Sequence, residues 1–152
     1  MKILRFVIPI LATLAVPSAF AADGMVNVES GYSVAETADR LVNILNEKGM
    51  TVFVRINHAE GAGKAGIEID PTELVIFGNP KVGSPLIKCQ QSVAIDLPQK
   101  ALIWQDADAK VWLSYNDPRY VEERHAVSGC EQVFAKIEKA LAGISNAAAK
   151  KP

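Results

Sequence analysis

The chain has 152 residues, of which 49% are hydrophobic and 22% are charged, and its net charge is −1. This length and composition are sufficient for a buried core. A nearly neutral chain without a run of Lys or Arg lacks the basic surface that binds nucleic acid or anionic lipid, so we expect no nucleic-acid partner.

The N-terminus has the three-part pattern of a secretory signal peptide. Lys2 and Arg5 are followed by an apolar run at residues 6–16, and small side chains stand at Ala19 and Ala21, where a signal peptidase requires them. We expect cleavage after Ala21. The apolar run is much shorter than the ~20 residues that cross a bilayer, so we expect no stable membrane span.

Removal of residues 1–21 would leave a periplasmic or secreted protein with a net charge of −3. Residues 22–145 are predicted to form a single domain, because no stretch rich in Gly, Pro or Ser divides them. The tail at residues 146–152 has no apolar period and is predicted to be disordered.

The first predicted elements are a strand at residues 25–31 and a helix that begins after Ser33. Ser33 and Glu36 form a capping box, and Gly49 supplies the residue that ends the helix. The apolar residues between them recur at helical spacing and form one stripe. This stripe consists of Val34, Ala38, Leu41, Val42 and Leu45.

Residues 51–58 predict a second strand, because they alternate and are rich in β-branched side chains. The alternation places Val52, Val54 and Ile56 on one face of this strand. A loop is predicted at residues 59–70.

The predicted loop contains the pattern G-x-G-x-x-G. Its glycines are Gly61, Gly63 and Gly66. A phosphate site would need a helix that opens at Gly66. The chain instead runs through Pro71 into a predicted buried strand at residues 73–77, so we interpret the glycines as a flexible or single-turn connection.

Prolines and hairpin signals organise the second half of the chain. Asn79 and Ser84 each precede a proline and predict a short helix over residues 85–91. Residues 100–105 and 110–115 are predicted to be strands that are joined by a four-residue polar turn.

Two further helices are predicted before the tail. Asp117 caps a short helix that ends near Arg124. Ser128 and Glu131 form a second capping box, which opens the last helix. The predicted buried stripe of that helix is Cys130, Phe134, Ile137, Leu141 and Ile144.

This order of elements predicts an α+β domain. We expect an antiparallel or mixed sheet of about five strands, with two long helices packed on one face. The other face is then solvated, forms a groove or meets a second subunit.

Several stretches of the chain resemble a known family. FGNPKVGSPL at residues 77–86 and AIDLPQKALIWQDADAKVWLSYNDPRY at residues 94–120 closely resemble the domain of unknown function family 302. INHAEGAGKAG and PTELVIFGNP are also similar to that family, so the resemblance covers residues 28–144. It implies a TATA-binding-protein-like arrangement of a strand, a helix, four strands and a final helix. It brings no established activity, cofactor or catalytic residue, and Cys89 and Cys130 depart from the family's usual pattern.

The two histidines, His58 and His125, are candidate catalytic or ligand-binding residues. His58 ends the second predicted strand, and His125 follows the short helix. Either could act as a general base if the fold supplies a carboxylate that fixes its tautomer. The candidate partners are Asp117, Glu60, Glu122 and Glu123. The alternative for each histidine is a capping or surface role.

A second group of candidates lies in the segment richest in hydrogen-bonding side chains. Tyr115, Asp117 and Arg119 could form the rim of a ligand site in which Arg119 holds an anion. The alternative is a turn alone, in which Asp117 caps the next helix. Trp104 and Trp112 lie on neighbouring predicted strands, where they stabilise the sheet or mark a binding or dimer face.

Cys89 and Cys130 are predicted to form a disulfide, because export favours oxidation and both thiols lie on predicted apolar helix faces. Cys130 belongs to the stripe of the last helix, and Cys89 follows Leu86 by three residues. The cysteines lack the spacing of zinc or thioredoxin-like sites, so we expect no metal.

The leading hypothesis is a periplasmic small-ligand-binding or accessory domain without a cofactor. Its candidate ligand contacts are His58, Tyr115, Asp117 and Arg119. One alternative is a small hydrolase-like enzyme that uses His58 or His125 with a carboxylate. Another is a structural scaffold whose open sheet face forms a homodimer. The sequence leaves open whether the protein is an enzyme.

Overall fold

The computed structural model describes residues 24–151 and has the α+β architecture that the sequence predicts. The predicted signal peptide and its cleavage site lie outside the described residues. Five strands form one sheet in the order β1-β5-β4-β3-β2, and every neighbouring pair is antiparallel. The strands are β1 Met25–Ser30, β2 Thr51–Asn57, β3 Thr72–Gly78, β4 Gln99–Gln105 and β5 Val111–Asn116.

Five α-helices connect or follow the strands. They are α1 Val34–Glu47, α2 His58–Lys64, α3 Pro80–Cys89, α4 Pro118–Arg124 and α5 Glu131–Ala149, with a 3₁₀ helix at Gln91–Ile95. The long helices α1 and α5 pack against each other and against the sheet. No helix within residues 24–151 is long and apolar enough to cross a membrane.

The hydrophobic core lies between the sheet and the two long helices. Alternate residues of β3, β4 and β5 face the helices, and the predicted apolar stripes of α1 and α5 cover them. The largest fully buried apolar side chains are Phe77, Phe134, Leu41, Leu45, Leu86, Ile103 and Leu113. Burial of each such side chain contributes about 1.5–3 kcal/mol relative to exposure, so this layer supplies the main driving force for folding.

Several predicted helix ends are confirmed by their hydrogen bonds. The Ser33 hydroxyl accepts from the N–H of Glu36 at the start of α1, and Gly49 follows the helix with a φ of 68°. The Asp117 carboxylate accepts from the N–H of Arg119 at the start of α4. These contacts satisfy backbone groups that a helix end leaves without partners.

The predicted loop after β2 contains a helix. The Asn57 side chain accepts from the N–H of Glu60 at the start of α2, and Lys64 forms an i,i+4 ion pair with Glu60. Gly61 and Gly63 lie inside this helix, although glycine disfavours a helix interior. The interpretation of the glycines as a flexible or single-turn connection is therefore wrong, because α2 has seven residues and makes about two turns. As predicted, no helix begins at Gly66.

Helix α3 begins five residues before the predicted start. The Asn79 side chain accepts from the N–H of Lys81, so Asn79 caps the helix and the following proline occupies its first turn. Ser84 and Pro85 consequently lie inside α3. The predicted capping role of Ser84 is wrong because the earlier cap had already started the helix.

Helix α5 also differs from the prediction at both ends. Cys130 is its N-cap without a side-chain hydrogen bond, and the Glu131 carboxylate accepts from the N–H of Gly129, so Ser128 does not cap. The helix continues to Ala149, whereas the sequence predicts a disordered tail from residue 146. Alanine is the best helix former, and Ala149 is small enough to be fully buried.

Candidate functional site

Cys89, at the end of α3, and Cys130, at the start of α5, lie at disulfide distance, as the sequence predicts. The two Cα atoms lie 6.5 Å apart, within the usual range for a disulfide. Cys130 is buried, whereas Cys89 is exposed although Leu86 is buried. The helix ends at Cys89, so this residue lies at the margin of the core that Leu86 enters.

Three of the four predicted ligand contacts lie near the junction of β5 and α4. Tyr115 is buried on the helix side of the sheet, and burial is the main reason why the pKa of its hydroxyl is raised. Arg119 forms ion pairs of 3.0 Å with both Glu122 and Glu138. These carboxylates pair with the Arg119 guanidinium, which the sequence predicts to hold an anion. Asp117 caps α4.

His58 lies in another part of the molecule. It is the exposed first residue of α2, directly after the edge strand β2, whereas Tyr115 lies on β5. Strands β3 and β4 separate β2 from β5. Three strand spacings amount to about 14 Å, so the structure does not bring His58 together with Tyr115, Asp117 and Arg119. Their role in binding a ligand stays a prediction.

A shallow groove of about 500 Å³ lies beside His58, between the start of α1, the start of α2 and β3. It is lined by residues on both sides of His58, and its polar lining residues are Ser33, Asn57, Glu60, Thr72, Glu73 and Gln105. Glu73 is only 5% exposed, and its charge is balanced by Arg55. Hydrogen bonding to Glu73 is the main reason why the pKa of Arg55 is raised, and Asp39 adds to it.

The placement of Arg55 depends on an irregularity in β2 that the sequence did not predict. The register between β2 and β3 shifts between Val52 and Val54. Such a bulge moves side chains between faces. Val52 therefore packs on the helix side, whereas Val54 and Ile56 lie on the open side, and the prediction that all three share a face is wrong.

His125 is part of a cluster with Ser92 and Asp96. Its Nε2 lies 2.6 Å from Asp96 Oδ2, and its Nδ1 lies 2.9 Å from Ser92 Oγ. Arg124 donates to the other carboxylate oxygen of Asp96 at 3.2 Å. The hydrogen-bonding carboxylate of His125 is thus Asp96, which was not among the four candidate partners that the sequence suggests.

The face of the sheet opposite the helices carries a group of apolar side chains, which we call the open-face patch. It consists of Val54, Ile56, Leu74, Ile76, Leu102 and Trp104. The patch is separate from the buried core, and no helix or strand among residues 24–151 covers it. Leu74, Leu102 and Ile56 lie directly beside one another on adjacent strands. An uncovered apolar surface of this kind is typical of an interaction site.

Trp104 and Trp112 form a direct cross-strand pair on the open face. The Trp104 indole donates to the Ser114 hydroxyl at 2.8 Å, and the Trp112 indole donates to the Asp106 carboxylate at 2.7 Å. The N–H groups of both indoles are therefore satisfied.

The hydrogen bond between Trp112 and Asp106 predicts a pH-dependent fluorescence signal. This hydrogen bond is the main reason why the pKa of Asp106 is lowered. A carboxyl group whose pKa is lowered by folding stabilises the folded state at pH values above the ordinary Asp pKa. This contribution is lost as the pH falls through the lowered pKa. We expect the fluorescence of Trp112, measured in a Trp104→Phe background, to change in acid with a midpoint below the ordinary Asp pKa. The same variant with Asp106→Asn should lack this transition, and an unchanged titration would contradict the assignment.

Within the described part of the chain, no group of three or more His, Cys, Asp or Glu side chains is arranged to hold a metal ion.

Comparison with known proteins identifies the family. The model of the family described as "Domain of unknown function DUF302" matches residues 26–144. The chain belongs to the DUF302 family. A solved structure, "Crystal structure of uncharacterized conserved protein DUF302 from Bacillus stearothermophilus", is 20% identical, has a TM-score of 0.75, and the match covers 84% of this chain and 99% of that chain. It shows that the DUF302 fold is shared.

Three curated relatives are larger proteins. "Fluoride-specific ion channel FluC 1" of Brucella suis is 44% identical over 113 residues, which are 74% of this chain and 44% of that protein. The match to "Fluoride-specific ion channel FluC 1" of Brucella abortus and to "Fluoride-specific ion channel FluC 2" of Brucella melitensis is also 44% over 113 residues, and covers 42% of each. The DUF302 chain therefore spans less than half the length of these relatives.

Proposed function

We propose that this DUF302 protein is an exported accessory domain that works as a homodimer and pairs through the open-face patch. The observation that carries this proposal is the apolar, uncovered face of the sheet. Val54 and Ile56 are 42% and 36% exposed, although β-branched residues in a sheet normally pack against a second layer. A second copy would supply that layer.

The size of the face sets the area available for pairing. Five strands at a spacing of about 4.8 Å, each about six residues long at 3.4 Å per residue, make a face of roughly 24 by 20 Å. The open-face patch lies on β2, β3 and β4. An interface near the ~800 Å² per partner of a standard complex would therefore also use β1 and β5 beside the patch.

The composition of the face supports pairing with an identical face. Its centre, at Leu74 and Leu102, has no charge, which suits an interface that is the same on both partners. Lys100 borders the patch, but its amine is turned to the carbonyls of Asp96 and Pro98 at 3.2 and 3.1 Å. Uncharged centres with a polar rim are typical of protein interfaces.

The curated relatives support an accessory role. In the Brucella proteins named fluoride-specific ion channels, the matched region forms less than half of the chain. A domain that is joined to a protein named for another activity is suited to assemble or to position that protein. We propose a role of this class here, without transferring the named activity.

Native mass spectrometry of the protein purified from the periplasm tests the proposal. We expect the main species to have twice the mass of the processed chain. A monomer at micromolar concentrations would contradict the homodimer. The same spectra test the second candidate function, binding of a small ligand in the groove beside His58, because a retained ligand adds a defined mass.

Export is the other part of the proposal, and the pattern of the first 21 residues supports it. We expect the intact mass of the mature protein to correspond to removal of residues 1–21, because Ala19 and Ala21 present small side chains to the peptidase. Ala19→Asp should leave the precursor uncleaved. A mature protein that retains Met1 would be inconsistent with a cleaved signal peptide.

A further inference from the structure

We propose that Ser92 is a nucleophile for acyl transfer, with His125 as its general base and Asp96 as the residue that positions His125. The site lies at the junction of the 3₁₀ helix Gln91–Ile95 with the end of α4. It is independent of the proposed dimer, because it does not include the open-face patch.

The hydrogen bonds of the cluster provide the relay that an activated serine needs. If Nε2 of His125 carries the proton, it donates to Asp96 at 2.6 Å. Nδ1 is then an acceptor for the Ser92 hydroxyl at 2.9 Å. A nucleophile, a base within hydrogen-bond reach, and a third group that orients the base define this chemistry, whichever ring nitrogen faces the nucleophile.

Burial is distributed as such a site requires. The side chains of His125 and Asp96 are 8% and 12% exposed, whereas Ser92 is exposed. The base and its orienting carboxylate are therefore shielded from water, while the nucleophile can be reached from solvent. A merely structural clamp between the two segments would not need an accessible hydroxyl at its outer end.

The surroundings of Ser92 indicate the class of substrate. Residues i and i+3 of a 3₁₀ helix share a face, so Ile95 lies on the same face as Ser92. Ile95 is 72% exposed. The cavity behind Asp96 has a volume of only about 10 Å³, which is room for one water molecule. A substrate must therefore bind at the surface, and we infer a carboxylic ester with a short apolar acyl group that rests on Ile95.

The cluster is held in place by neighbouring contacts. Arg124 donates to Asp96 Oδ1, and Gln90 donates to the backbone carbonyl of His125 at 3.3 Å. The Cys89–Cys130 disulfide ties the segment that precedes Ser92 to the segment that follows His125. These links fix the geometry before a substrate binds, which reduces the entropic cost of the reaction.

The proposed reaction has two balanced steps. Ser92 Oγ attacks the ester carbonyl and transfers its proton to His125 Nδ1, and the alcohol leaves with that proton as the C–O bond breaks. Water then attacks the acyl-serine and gives a proton to His125. His125 returns the proton to Ser92 Oγ, which releases the carboxylic acid and restores the site.

Hydrolysis of p-nitrophenyl butyrate and labelling by a fluorophosphonate test this proposal. We expect the wild-type protein to hydrolyse the ester and to carry the phosphonyl group on the peptide that contains Ser92. Ser92→Ala should lose labelling and reduce hydrolysis to the buffer rate, while its circular dichroism stays unchanged because Ser92 is exposed. Ser84→Ala, which removes an exposed serine of α3, is the matched control and should behave like wild type.

Asp96→Asn separates positioning from structure. We expect kcat to fall by at least about tenfold with an unchanged KM, and the pH profile to shift, because an amide cannot hold the productive tautomer of His125. Wild-type protein that is not labelled, or Ser92→Ala with wild-type hydrolysis, would overturn the proposal. Equal pH profiles for Asp96→Asn and wild type would overturn the role of Asp96.

Discussion

Leu102→Glu is expected to convert the homodimer into a folded monomer. Leu102 lies in the middle of the open-face patch, beside Leu74 on one strand and Ser114 on the other. A carboxylate at this position would be buried without a partner in the dimer, which is strongly unfavourable. In the monomer the same side chain faces solvent and leaves the core intact. We expect Kd to rise at least about 100-fold, which corresponds to about 2.7 kcal/mol.

Light scattering coupled to size-exclusion chromatography measures this effect. Val82→Glu is the matched control, since Val82 is 40% exposed and lies on α3, away from the open face. It introduces the same charge and should leave the dimer intact. If Leu102→Glu associates as tightly as wild type, the open-face patch is not the interface. If the circular dichroism of Leu102→Glu shows a loss of helix, the milder variant Ile76→Thr replaces it in the test. We expect Ile76→Thr to fold natively and to dimerise more weakly than wild type.

Much of the fold could be predicted from the sequence because its signals are local. Alternation predicted β1 and β2, a buried apolar run predicted β3, and a polar hairpin turn predicted β4 and β5. Capping by Ser33 and Asp117 placed the starts of α1 and α4. The errors arose where tertiary contacts override local preference. Helix α5 continues past the predicted end because Arg40 donates to the carbonyls of Ala147 and Ala148, which satisfies groups that would otherwise need water.

The candidate sites were harder to predict for a different reason. His125 and Asp96 are separated by 29 residues, and they meet only when the 3₁₀ helix docks against the end of α4. No sequence motif relates the two residues. The candidate partners of His125 that the sequence suggests therefore do not include Asp96. The open-face patch was anticipated only as one of three fates of the uncovered face. A bulge in β2 places Val54 and Ile56 on the open face and Arg55 on the helix side. The alternation of apolar and polar residues in β2 does not indicate this bulge.

Removal of the disulfide is expected to cause the second large effect. A bond between these cysteines, which are 41 positions apart in the sequence, is expected to stabilise the folded state by about 4 kcal/mol on the chain-entropy model. Cys89→Ala combined with Cys130→Ala should therefore lower Tm by more than about 10 °C. The variant keeps a small apolar side chain at the buried position of Cys130, so the loss of stability reports mainly on the cross-link.

Thermal unfolding with and without a reductant provides the internal control. We expect a reductant to lower the Tm of the wild type to that of the double variant, and to leave the variant unchanged. Equal Tm values for the oxidised wild type and the variant would mean that the bond does not form in the exported protein.

Because the same bond ties the segments that carry Ser92 and His125, the variant at 25 °C should also hydrolyse p-nitrophenyl butyrate more slowly while its fold is intact. Reductant should slow the wild type equally, and an unaffected rate would show that the cluster is held by its hydrogen bonds alone.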